Sequence, residues 1–187
     1  MPDCFLPYFP PISIRNFIWL ITFVSSTSPL SEIHLQPMTR VTFYLLENSQ
    51  QSAEQFACKL VEKAWRGGLP MHIHTDDESS CVALDKLLWA WREDSFLPHG
   101  IVTGTADSED NSTSINNLPI TLGFDTPSIP QNRLLINLNS EVPQFFTRFD
   151  RVCEIVVISP GQKTISRNKF RSYRQLGIEP EVHNLPG

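Results

Sequence analysis

From residue 41 onward the chain alternates short apolar runs with stretches in which apolar side chains recur every three or four positions. Residues 41–46 (VTFYLL) form a β-rich run of strand length. Ser52-Ala-Glu-Gln55 follows, a capping box whose serine and glutamine satisfy free amides at a helix start. The helix it opens carries Ala53, Phe56, Ala57, Leu60, Val61, Ala64 and Trp65 as one continuous apolar stripe. Gly67-Gly68 stops it, because glycine enters the left-handed cap conformation without a Cβ clash. Residues 69–74 (LPMHIH) read as a second strand. Thr75-Asp-Asp-Glu78 reads as a second capping box, before a helix with Leu84, Leu87, Leu88 and Trp91 on one face.

Further strands are predicted at 120–123, 133–138 and 152–159, with a short helix led by Pro143 that carries Phe145, Phe146 and Phe149. A closing helix over 163–176 ends at Gly177. Strand and helix in close succession predict an α/β fold of three layers, a mostly parallel sheet with helices on both faces. Residues 103–117 (TGTADSEDNSTSINN) are polar and without periodicity, which predicts a mobile loop.

The first 37 residues differ in kind. Six of the 15 prolines fall at or before Pro37, around one apolar stretch, residues 17–24. That stretch is too short to span a bilayer, which needs about 20 apolar residues, and no A-x-A-like cleavage site follows it. Met38 leads directly into the first patterned strand, so it is the expected natural start, with 1–37 an upstream or poorly ordered extension and 38–187 the folded domain.

Composition narrows the function classes. With 187 residues and 41% hydrophobic content, one domain with a sizeable core is expected. The net charge of -5 argues against nucleic-acid binding by bulk electrostatics, so any basic function requires a local patch. Cys4, Cys58, Cys81 and Cys153 are scattered without a CxxC pair, as expected of buried reduced thiols in a cytoplasmic protein. The sequence has no G-x-G-x-x-G after the first strand, no GxxxxGK[ST] loop and no G-x-S-x-G elbow. His72 and His74 share one strand face near Asp76 and Asp77, but two histidines do not make a metal site. No catalytic residue, metal or cofactor is expected.

Two surfaces carry chemistry. On the closing helix Lys163, Arg167, Phe170, Arg171 and Arg174 fall on one stripe, while Ile165, Tyr173 and Leu176 project from the other side toward the sheet. No acidic residue occurs from Ile155 to Ile178. Two readings of the stripe are open: a solvated basic face favoured by the helix dipole, or a pocket where arginines pair with the carboxylates of an acidic, aromatic peptide end. The second surface is Leu88-Trp89-Ala90-Trp91 with Ser95-Phe96-Leu97-Pro98-His99. Trp91 continues the apolar stripe of its helix and Trp89 does not, and two readings are open: all of these aromatics in the core, or one in the core and another as an interface anchor.

Taken together, residues 41–46, Leu84-Asp85 to Leu88-Trp89, Ser95-Phe96-Leu97-Pro98-His99, 133–138 and Phe170-Arg171-Ser172-Tyr173-Arg174 with Gly177 resemble, in order and spacing, the chi subunit family of bacterial DNA polymerase III. The resemblance implies a non-catalytic cytoplasmic adaptor at the replisome, linking the clamp loader, through its psi subunit, to single-stranded DNA-binding protein. It places the acidic C-terminal tail of that protein on Lys163, Arg167, Phe170, Arg171 and Tyr173, with Val156 on an apolar floor and Arg174 extending the stripe. Phe170 stands where members often have tyrosine, and Arg171 where lysine is common. The psi-facing surface would hold Trp89, Phe96 and Pro98. Two other classes are weighed against this. One is direct single-stranded DNA binding through Arg167, Phe170 and Arg171; the other is a nucleotide-dependent enzyme on a Rossmann-like sheet.

Overall fold

The computed structural model describes residues 39–47, 51–102, 118–127 and 133–185. The extension before Met38, Cys4 and the 103–117 segment lie outside these residues. Among them β1 (Arg40–Leu46), α1 (Ala53–Arg66), β2 (Met71–His74), α2 (Glu78–Trp89), β3 (His99–Ile101) and β4 (Ile120–Gly123) come first. β5 (Leu134–Asn137), β6 (Arg151–Val157), α3 (Pro160–Gln175) and β7 (Glu181–Leu185) complete the order. The seven strands form one sheet, ordered β3-β4-β2-β5-β6-β1-β7, in which every pairing is parallel. The predicted three-layer α/β architecture is therefore present.

Strand alternation divides the core. Met71, Ile73, Ile120, Leu122, Leu134 and Ile136 point to the face that α1 and α2 cover with Ala57, Val61, Leu84 and Leu88. Val41, Phe43, Leu135, Val152 and Val156 point to the opposite face, beneath Tyr173 of α3 and the aromatic turn Phe145, Phe146 and Phe149. Burying each such side chain contributes about 1.5–3 kcal/mol.

Local signals and structure agree at most helix ends. Ser52 and Gln55 make the predicted capping box. Gly68 and Gly177 adopt φ of 68° and 81°, and each closes a Schellman motif. Leu69 N–H donates to Ala64 O at 3.1 Å, and Ile178 N–H to Tyr173 O at 3.1 Å. The start of α2 differs from expectation. Asp77, not Thr75, is the N-cap: its carboxylate accepts from Ser80 N–H at 2.7 Å, a stronger acceptor than the Thr75 hydroxyl, which donates to Asp77 O instead. The segment led by Pro143 makes only a 3-10 turn, Phe146–Arg148, before β6 begins. α3 starts earlier than predicted, at Pro160, with Ser159 as its cap.

One buried polar group fixes α3 to the sheet. Glu154 of β6 is fully buried and ion-pairs with Lys169. It also accepts from Tyr173 Oη at 2.7 Å and from Asn137 Nδ2 at 2.9 Å, Asn137 being its register partner on β5. Lys169 Nζ donates in addition to Asn139 O at 2.8 Å. Burial, then the Glu154 charge, push the Tyr173 phenol far above its ordinary pKa, so it remains a donor.

Beside this network His72 is buried, its Nδ1 3.0 Å from Thr121 Oγ1 and its ring stacked on Phe149. Burial, and then the neighbouring His74, push its pKa down to about 3. His74 is lowered too, first by burial.

Tyr173→Phe is expected to lower stability by about 1–3 kcal/mol, because a buried carboxylate loses a donor. Lys169→Met should cost about 3–5 kcal/mol by leaving the Glu154 charge unpaired. Guanidinium unfolding curves measure both. His72 returns on unfolding to about 6.5 and takes up a proton below that pH. Its contribution is therefore complete above pH 6.5 and is lost as pH falls toward 3, by about 2 kcal/mol at pH 5. Urea midpoints at pH 7 and pH 5 should show the loss, and His72→Gln should shrink it.

Candidate functional site

The basic stripe of α3 is formed as one surface. Lys163, Arg167, Arg171 and Arg174 are exposed and Phe170 is half-buried on the same flank. Lys163, Arg167 and Arg171 have no carboxylate partner among the described residues, whereas Arg174 Nε pairs with Glu179 at 3.2 Å. That pair is exposed on both sides and contributes little to stability, but it directs part of the Arg174 charge away from the stripe.

Below the cations lies an apolar strip. The Phe170 ring meets Phe43 of β1 edge-on, with centroids 5.5 Å apart. Val156 of β6 is buried beside the half-buried Leu45, its register partner on β1. On the far side β7 pairs with β1 so that Val182 stands beside Phe43, and parallel register points both to the α3 face. Val182 is 48% exposed. Three unpaired cations thus border an apolar shelf made by Phe170, Leu45, Val156 and Val182. Such an arrangement suits a ligand with carboxylates and one large apolar side chain.

Tyr173 lies beneath this flank rather than in it. Its side chain is fully buried and its hydroxyl is taken up by Glu154, so it positions α3 and presents nothing to a ligand. Leu176 is 61% exposed and does not pack on the sheet as expected. Leu45 and Val182 were missed by sequence reading, and the reason is local. Nothing in Glu181-Val-His-Asn-Leu185 signals that this segment becomes an edge strand beside β1.

The second surface separates the two tryptophans. The indole N–H of Trp91 donates to Glu62 at 3.2 Å, and the same carboxylate holds Arg66 at 2.6 Å. Trp89 is 58% exposed and Phe96 71%, with ring centroids 6.0 Å apart. Trp89 rests on the buried His99 at 4.8 Å, whose Nδ1 lies 2.6 Å from Leu97 O and whose Nε2 is 3.3 Å from Asp85. Pro98, half-buried, completes this patch. The neighbouring Leu97 is in the core.

Other candidate chemistry is used structurally. Asp77 caps α2, and Asp76 accepts from Ser140 N–H at 2.8 Å. Among the described residues no group of three His, Cys, Asp or Glu side chains comes together to hold a metal. Burial pushes the Cys58 and Cys153 thiols up to about 12 and about 11, away from the reactive thiolate. No helix among the described residues is long and apolar enough to cross a membrane.

Among solved structures, the crystal structure of T4 UvsW aligns with a TM-score of 0.58 at 10% identity, covering 81% of this chain and 42% of that one. The C-terminal domain of the DEAD-box protein Dbp5 aligns with a TM-score of 0.51 at 12% identity, covering 81% of this chain and 91% of that one. These likenesses describe the fold alone. Sequence relatives are more specific. The chain is 39% identical over 150 residues to DNA polymerase III subunit chi of Pseudomonas aeruginosa, covering 80% of this chain and 99% of that one. It is 27% identical over 147 residues to the Escherichia coli subunit chi, covering 75% and 95%, and 28% identical over 144 residues to that of Haemophilus influenzae, covering 76% and 95%. The family model of the DNA polymerase III chi subunit, HolC, matches residues 38–181, which include β1 and the whole of α3, and the chain belongs to that family.

Proposed function

We propose that this chi subunit is a non-catalytic, cytoplasmic adaptor that holds the acidic C-terminal tail of single-stranded DNA-binding protein on α3 and joins it to the clamp loader through psi. The observation that carries the reading is the α3 flank: Lys163, Arg167 and Arg171, unpaired among the described residues, above the shelf of Phe170, Leu45 and Val156. The tail's carboxylates would take the guanidinium forks, which match them in a planar, bidentate way. Its terminal phenylalanine would lie on the shelf, against Phe170 and Val182. Tyr173 acts from below, by holding the helix at the height that Glu154 sets.

Because a single tail contact of this kind is weak, the adaptor works through several tails presented together, which raise effective concentration near DNA. The stripe is short and the whole chain acidic at -5, which favours a peptide over a nucleic-acid strand. The exposed Trp89 and Phe96 pair, backed by the buried His99, has the character of an interface anchor and is assigned to psi, with Pro98 at its edge.

Arg171→Ala should weaken binding of the tail peptide about tenfold in a calorimetric titration, and raising salt from 50 to 300 mM should weaken the parent protein too. Single-stranded DNA that displaces the peptide stoichiometrically would overturn the assignment of this flank to a peptide. Trp89→Ala combined with Phe96→Ala should remove psi by about 2 kcal/mol or more while leaving the tail affinity unchanged, as read by pull-down and titration side by side.

A further inference from the structure

The opposite face of the sheet carries a pocket that also sets cations around apolar side chains. A cavity of about 370 Å³ opens between the last turns of α1 and the beginnings of β5 and β6. Leu60, Leu69, Leu134 and Cys153 make its apolar part, and Lys63, Arg133 and Arg151 stand around it with one carboxylate, Asp150. Leu134 and Cys153 belong to the core under α1 and α2, whereas Val156 and Phe43 belong to the core under α3, so the two sites lie on different faces.

The charges here are only partly paired. Arg133 pairs with Asp150 at 2.9 Å, and both are exposed. Arg151 Nη2 donates to the Tyr44 hydroxyl at 3.1 Å, a neutral partner that orients the guanidinium without neutralising it. Lys63 and Arg151 have no carboxylate partner among the described residues. Arg40 is the register partner of Arg151, on the same face of the sheet, and adds a further exposed cation. The cavity lies within the roughly 300–1,000 Å³ span of small ligand pockets.

We infer that this pocket is a second docking site for an acidic peptide end bearing one large apolar side chain, so that one chain engages two such ends, one on each face of the sheet. Carboxylates would pair with Arg151 and Lys63, and the apolar side chain would enter between Leu60 and Leu134. The inference rests on the α3 reading for the identity of the partner, a protein with several tails, but the pocket's chemistry stands apart from it. Two ends held by one adaptor dissociate only when both release, so avidity exceeds either contact.

The test is an amide chemical-shift titration of the full chain with acetyl-Asp-Asp-Asp-Phe carrying a free carboxyl terminus. Two separate saturating sets of shifts are expected, one around Phe170, Arg171 and Val182, the other around Leu60, Ala64 and Cys153. Arg151→Glu, at an exposed position, should weaken the second set about tenfold or more and spare the first; Lys63→Glu should do the same. Shifts confined to α3 would overturn the second site and leave the α3 reading standing. Shifts confined to the second pocket would support it and overturn the α3 site, and a chain silent at both would overturn both. A second set indifferent to both substitutions would also overturn the inference.

Discussion

Everything that α3 presents to solvent depends on a carboxylate that solvent never reaches. Glu154 sits in the middle of β6, fully buried, and one oxygen-rich group there is acceptable only if its partners surround it. Tyr173 and Lys169, four residues apart on α3, and Asn137 on the adjacent strand supply them. Burying a charge in this way adds little net stability compared with an apolar contact, but it defines one rotation and one height for the helix. With Tyr173 and Lys169 turned inward, helical geometry leaves Lys163, Arg167 and Arg171 no direction but outward.

The same logic explains how an acidic chain carries basic surfaces. The overall charge is -5, yet cations collect locally where no carboxylate pairs with them. On α3 no acidic residue competes between Ile155 and Ile178. At the beginnings of β5 and β6, Arg151 is held by a phenol rather than a carboxylate. Local accounting of partners, rather than net charge, decides where an acidic ligand is attracted.

Much of the fold was legible because its signals are local. Capping at Ser52 and stops at Gly68 and Gly177 act within one turn, and apolar stripes report directly on which helix face is covered. The exposed position of Trp89 was likewise readable from its place off the stripe of Leu84 and Leu88. What escaped was decided by pairing across long sequence distances. β3 has only three residues, one of them Gly100, and β7 is an exposed edge strand whose residues show no apolar alternation. Both exist because a neighbouring strand offers hydrogen bonds. Tyr173 was placed in the binding flank by resemblance and toward the sheet by periodicity; the buried Glu154 decides for the sheet.

Strand order also has a temporal side. β1, the first strand among the described residues, lies between β6 and β7, the last two among them. Its backbone is satisfied on both sides only once β6 and β7 are both in place, and pairings between distant segments form slowly. The shelf under α3 uses Leu45 from β1, Val156 from β6 and Val182 from β7. A chain cut before β7 therefore keeps the basic helix, Leu45 and Val156 but loses Val182, the outer margin of the shelf.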